Sequence, residues 1–146
     1  MTIQTAAGAS IAISTTAFTG TADAAGFGAK TYTPIAEVTT IPAFGKTYTV
    51  INHNPLSTRY TKKLKGSYNN GSVTLDYALD TADAGQALLF AAVDNDASFA
   101  YRVTMQNGTI YYFTAQATSS PIEVGSVDSI VKGTTVLEID SNIVKI

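Results

Sequence analysis

The sequence predicts a mainly β fold, a small β-sandwich or barrel of about seven strands with one flanking α-helix. Two stretches, Ser72 to Leu79 and Ser98 to Gln106, alternate apolar and polar residues with the period of two that a half-buried strand requires. The second runs into Asn107-Gly108, a dipeptide that tolerates the positive φ of a two-residue hairpin turn. Thr is abundant, and 8 Tyr and 6 Phe stand beside no Trp, a composition that suits pleated surfaces. At 146 residues the chain has the size of one domain, expected to span 1–146.

Residues 1–31, rich in Ala, Gly and Thr, predict an extended N-terminal arm, largely irregular, with a first strand at Ser10 to Ser14 where Ile11 and Ile13 share a face. Strands are expected from Ile35 to Ile41, ended by Pro42, and from Lys46 to Ile51. Residues 52–71, with Asn-rich corners at both ends and most of the basic charge, predict a long exposed basic loop. Ser72 to Leu79 is the half-buried strand, with Val73, Leu75, Tyr77 and Leu79 on one face. Asp80, with Asp83 three residues on, predicts a capped helix from about Thr81 to about Val93. Its apolar stripe is Ala84, Ala87, Leu88, Ala91 and Ala92, yet Leu89, Phe90 and Val93 lie outside it. A helix apolar on most of its circumference is buried on more than one side, so a neighbouring subunit is expected to cover Leu89 and Phe90.

A two-residue turn at Asn107-Gly108 would set Met105 opposite Ile110, Val103 opposite Tyr112 and Tyr101 opposite Thr114. Thr104 would then meet Tyr111, and Arg102 would meet Phe113, on the other face. That second face is too apolar for free solvent, so Tyr111 and Phe113 are also expected at a subunit interface. Beyond Pro121, Val127 to Lys132 and Thr134 to Asp140 form two further β stretches or one strand kinked at Gly133.

Charge is segregated along the chain. Lys46, Arg59, Lys62, Lys63 and Lys65 occur with no acid between Lys46 and Leu75, whereas Asp76 to Ile146 holds nine carboxylates against Arg102, Lys132 and Lys145. Such a pattern suits an anionic ligand or the acidic surface of a second copy. Nucleic-acid contact by the basic loop, a solvated loop and an intersubunit contact are all open, and the acidic pI of about 5.1 weighs against the first. His53 is the sole histidine and cysteine is absent, which removes most metal sites, thiol chemistry and most acid–base schemes. Asp94 and Asp96 lack the glycine and distal Glu of a calcium loop. No enzyme activity, cofactor or metal is expected. No apolar run is long enough to cross a bilayer, and Met1 to Ala9 lacks the basic and apolar regions of a secretory signal, so a chain kept inside a cell until assembly is expected, without membrane insertion.

The run Gly85-Gln86-Ala87-Leu88-Leu89, the acidic corner after it, Ala100-Tyr101-Arg102-Val103, then Gln106-Asn107-Gly108-Thr109-Ile110 and a second aromatic strand resembles the major tail tube proteins of lambda-like long-tailed (siphovirus) phages. The resemblance extends from Ala7 to Asp140. It implies a barrel or sandwich with one flanking helix, assembling into hexameric rings whose inner strands join into a β-lined channel. Rings would stack head to tail around a tape measure protein, meeting tail terminator and tail-tip or baseplate proteins, and DNA would later pass through the lumen without specific binding. The location implied is the virion tail, assembled in the host cytoplasm. No C-terminal immunoglobulin-like domain, such as some members carry, is expected here, and the basic loop is not a family requirement. That loop falls where the family has a stacking loop, which makes Arg59, Lys62, Lys63 and Lys65 candidate ring-stacking residues. The tube of a contractile secretion or bacteriocin machine is the alternative, and a carbohydrate-binding β-sandwich module a more distant one.

Overall fold

The computed structural model describes residues 3–146. In chain order the elements are β1 (Ser10–Ala17), α1 (Ala24–Gly28), β2 (Tyr32–Pro34), β3 (Val38–Thr40), β4 (Thr47–His53), β5 (Lys62–Asn69) and β6 (Ser72–Ala78). They continue with α2 (Ala84–Val93), β7 (Phe99–Thr104), β8 (Ile110–Ser119), β9 (Ile122–Glu123), β10 (Lys132–Ile139) and β11 (Val144–Lys145). The fold is mainly β, as expected, with eleven strands among the described residues where about seven were predicted and a second, one-and-a-half-turn helix in the N-terminal arm. The surplus lies in two- and three-residue strands, too short to show alternation, and in β5, whose residues were expected to be loop.

Nine strands form one antiparallel sheet with the path β2-β1-β7-β8-β10-β6-β3. The two ends of that path are consecutive in sequence, Pro34 being joined to Val38 through residues 35–37. Four Cα steps reach at most about 15 Å, whereas seven strands laid flat would hold β2 and β3 about 29 Å apart. The sheet is therefore rolled into a barrel. Its interior collects Ile11, Ile13, Val73, Leu75, Tyr77, Tyr101, Phe113 and Leu137, each at most 1% exposed.

Helix α2 seals the seam between the two ends. Asp83, not Asp80, is its N-cap: the carboxylate accepts from Gln86 N–H at 2.9 Å and from Ala36 N–H at 3.1 Å. Asp80 instead accepts from Ala82 N–H in the preceding turn. The buried amide of Gln86 donates to the carbonyls of Ala36 and Ala78 and accepts from Asp80 N–H. Gly85 allows this approach, since a Cβ there would lie 2.2 Å from the Pro34 carbonyl oxygen. These contacts turn the helix so that Gly85, Gln86, Leu89 and Ala92 are buried, while Ala84, Ala87 and Ala91 of the expected stripe face solvent.

The β7–β8 register differs by one residue from the two-residue turn. Val103 pairs with Tyr111, Arg102 with Tyr112 and Tyr101 with Phe113. Of Asn107 and Gly108 only the glycine takes positive φ (+89°), and Met105 N–H closes the loop on Thr109 C=O. This is the three-residue loop with a left-handed glycine, whose extra residue shifts every pair. Phe113 thereby moves into the barrel beside Tyr101, with ring centroids 5.7 Å apart. Tyr112 turns outward, where α1 covers it: Phe18, Phe27 and Tyr112 stack at 4.9 and 5.4 Å. Burial there pushes the Tyr32 hydroxyl up to about 12, with Tyr112 adding to the shift and Arg102 opposing it.

The segment expected as strand from Val127 is a turn, closed by Ser129 N–H on Ser126 C=O. Gly133 marks no kink. It lies inside β10 because the Tyr77 ring packs on it, 2.4 Å from where a Cβ would be.

Candidate assembly surface

The strand expected from Lys46 to Ile51 is present as β4, but residues 52–71 are not one long loop: β5 folds back on β4 in a second, two-stranded sheet, and the irregular tip is 54–61. The pairs are Tyr48 with Tyr68, Val50 with Lys65, Ile51 with Leu64, Asn52 with Lys63 and His53 with Lys62. Within the hairpin Lys46 lies over the Tyr68 ring at 4.6 Å and Lys65 over Tyr48 at 5.0 Å, each cation held on an aromatic face. At its base Tyr68 hydrogen-bonds Asn142, and Asn70 donates to Ser141 C=O at 2.7 Å. From there the hairpin stands away from the barrel, and no residue of β4 or β5 is buried.

The surface it offers is both apolar and basic. Val50, Ile51, Tyr60 and Leu64 are each at least half exposed, and Leu56 at the tip is 106% exposed. Arg59 stands beside it in the tip, and Lys62, Lys63 and Lys65 line β5. The four cations proposed from sequence are therefore brought together. The apolar partners Val50, Ile51, Leu56 and Leu64 were missed there, although Val-Ile and Lys-Leu-Lys within a charged stretch were a signal that this segment carries more than charge.

The expected interface residues divide. Leu89 and Phe113 are fully buried inside their own subunit and cannot also meet another; the rolled sheet and the shifted register supply the cover that a neighbour was expected to provide. Phe90 and Tyr111 remain half-buried. Tyr111 contacts Phe44 edge-on at 5.9 Å and lines an apolar groove of about 340 Å³ with Ile41, Val103 and Met105.

A second exposed apolar patch follows β8. Ile122, Val124, Val127 and Ile130 are all more than half exposed, and Glu123 and Asp128 make this segment acidic. Thr134 N–H to Pro121 C=O and Leu79 N–H to Val131 C=O hold its two ends at 3.1 and 2.9 Å. Asp76 and Lys132 flank it. Among the described residues no group of three or more His, Cys, Asp or Glu could hold a metal ion, and no helix is long and apolar enough to cross a membrane.

No family model and no curated protein sequence matches the chain. Solved structures do. A chain in the PVC sheath/tube terminator of an extracellular contractile injection system, in its extended state, superposes with a TM-score of 0.72 at 11% identity, covering 100% of this chain and 98% of that one. A chain in the C6-symmetric tail of an empty gene transfer agent particle gives 0.68 at 14% identity over 97% of each. The SPP1 tail tube gives 0.64 at 15% identity over 94% of this chain and 75% of that one. At these identities the likeness is one of architecture: the chain has the fold found in these tail, tube and terminator structures.

Proposed function

We propose that the chain is a structural subunit of a phage tail tube, forming hexameric rings that stack around a tape measure protein into the channel through which DNA leaves. The observation that carries this reading is the hairpin β4–β5. A two-stranded sheet with no buried residue, exposed Leu56, Ile51 and Leu64, and four cations gains nothing from its own barrel, and that apolar area is stabilised only by a partner. Likeness in fold to the SPP1 tail tube and to a six-fold symmetric tail supports the same choice. In this reading the role is mechanical, without a catalytic step or cofactor, and the particle is a virion tail closed by terminator and tip proteins. His53 stands exposed on a strand facing Lys62, in keeping with such a role.

Likeness to the contractile injection structure, over nearly the full length of both chains, favours a second reading in which the tube lies inside a contractile machine. In both readings the hairpin joins copies. Reversing Arg59, Lys62, Lys63 and Lys65 to Glu is expected to leave the monomer folded by circular dichroism and to abolish rings and tubes in negative-stain images of a tail fraction. Tubes of ordinary length and number from that variant would overturn the part assigned to the hairpin, and a tail fraction whose tubes do not contain the unaltered chain would overturn the tube reading itself.

A further inference from the structure

Resting on that reading, we infer that the hairpin β4–β5 of one copy docks on the acidic, apolar segment 122–130 of the next. Strand register supplies the geometry. In the β6–β10 pair Ser72 lies opposite Glu138 and Ala78 opposite Lys132. The hairpin leaves the barrel at the Ser72 end, through Asn70 and Gly71. Segment 122–130 sits at the Ala78 end, where Glu123 pairs with Lys132 and Leu79 N–H binds Val131 C=O. The two surfaces are thus separated by the length of a seven-residue strand, about 20 Å.

A hairpin rooted at one end and standing away from the barrel does not cover a loop at the other end of the same subunit. Translation of a second copy along the strands brings the two together. Such a contact joins unlike surfaces and repeats without closing, as a stacked tube requires.

The chemistry matches. The hairpin presents Leu56, Ile51 and Leu64 among Arg59, Lys62 and Lys63; the segment presents Val124, Val127 and Ile130 beside Glu123 and Asp128, and with the flanking Asp76 the three carboxylates outnumber the one cation, Lys132. Val127 is 100% exposed and Leu56 is 106% exposed, so each has an entire side chain to bury. The receiving segment is preformed, tied at Pro121–Thr134 and Leu79–Val131 and turned at Gly125 with φ +78°. Little order need be created on docking.

The absence of cysteine makes the test direct. The full-length chain is prepared as two single variants, Leu56→Cys and Val127→Cys, mixed under assembly conditions and oxidised. A disulfide-linked heterodimer at least tenfold above the homodimer of either variant is the expected result. Lys62→Glu with Lys63→Glu in the first variant should reduce it at least tenfold, and Glu123→Lys with Asp128→Lys in the second should recover it. Tubes that form without the heterodimer overturn the docking and leave the tube reading standing. The heterodimer without rings or tubes supports the docking and removes the tube. Neither product removes both.

Discussion

The barrel and the hairpin are both antiparallel sheet, yet they handle apolar side chains in opposite ways. Every long barrel strand turns one face inward, and Ile11, Leu75, Tyr101 and Phe113 have no exposed surface or almost none. The hairpin carries residues of the same kind, Val50, Ile51 and Leu64, and buries none of them. The barrel is self-sufficient; the hairpin is half of a contact. Stability should therefore reside in one region and association in the other.

The largest expected effect is in the barrel. Phe113→Ala should cost about 4 kcal/mol of unfolding free energy in urea, because an aromatic side chain is removed from a site with no room to collapse. A loss below 1 kcal/mol would mean that Phe113 is not enclosed by its own subunit. Next comes the seam. Gln86→Leu keeps the volume but strips partners from the carbonyls of Ala36 and Ala78 and from Asp80 N–H, a cost of about 3 kcal/mol. Hydrogen exchange should rise first at residues 35–37 and 78–80; unchanged protection there would place the closure elsewhere. The smallest effect on stability belongs to the hairpin. Leu64→Ser should move the unfolding midpoint by less than about 0.5 kcal/mol equivalent. The same substitution should sharply reduce sedimenting assemblies, and a large stability loss with normal assembly would erase the contrast between the two regions.

The barrel was the more legible region for a physical reason. A strand with one wet and one dry face writes its environment as alternation, so Ser72 to Leu79 was readable to within a residue. A hairpin wet on both faces has no such constraint, and Thr47–His53 with Lys62–Asn69 was divided between a short strand and a loop. The off-by-one register of β7 and β8 has a different origin. Asn-Gly serves both a two-residue turn and a three-residue loop with one left-handed glycine, and only the closed backbone distinguishes them. That single residue decided whether Tyr112 or Phe113 entered the core. Gly85-Gln86 was noticed as a pattern without its physics. A buried amide joining residues 36, 78 and 80 is long-range information that no local period carries. For the assembly surface, charge alone was legible, because cations are conspicuous in a sequence, whereas an exposed Leu looks like a buried one until the fold is known.

The unburied hairpin has one more consequence, for the free subunit. A two-stranded sheet leaves a row of unpaired N–H and C=O groups along each outer edge, and any extended chain can add to it. Lys62, Lys63 and Lys65 place like charge along β5, so two free hairpins that approach edge to edge repel before their backbones can pair. The residues proposed to attract the right surface thus also repel the wrong one. Ionic strength sets the balance, since at a screening length of about 8 Å in physiological salt that protection reaches little beyond the strand itself.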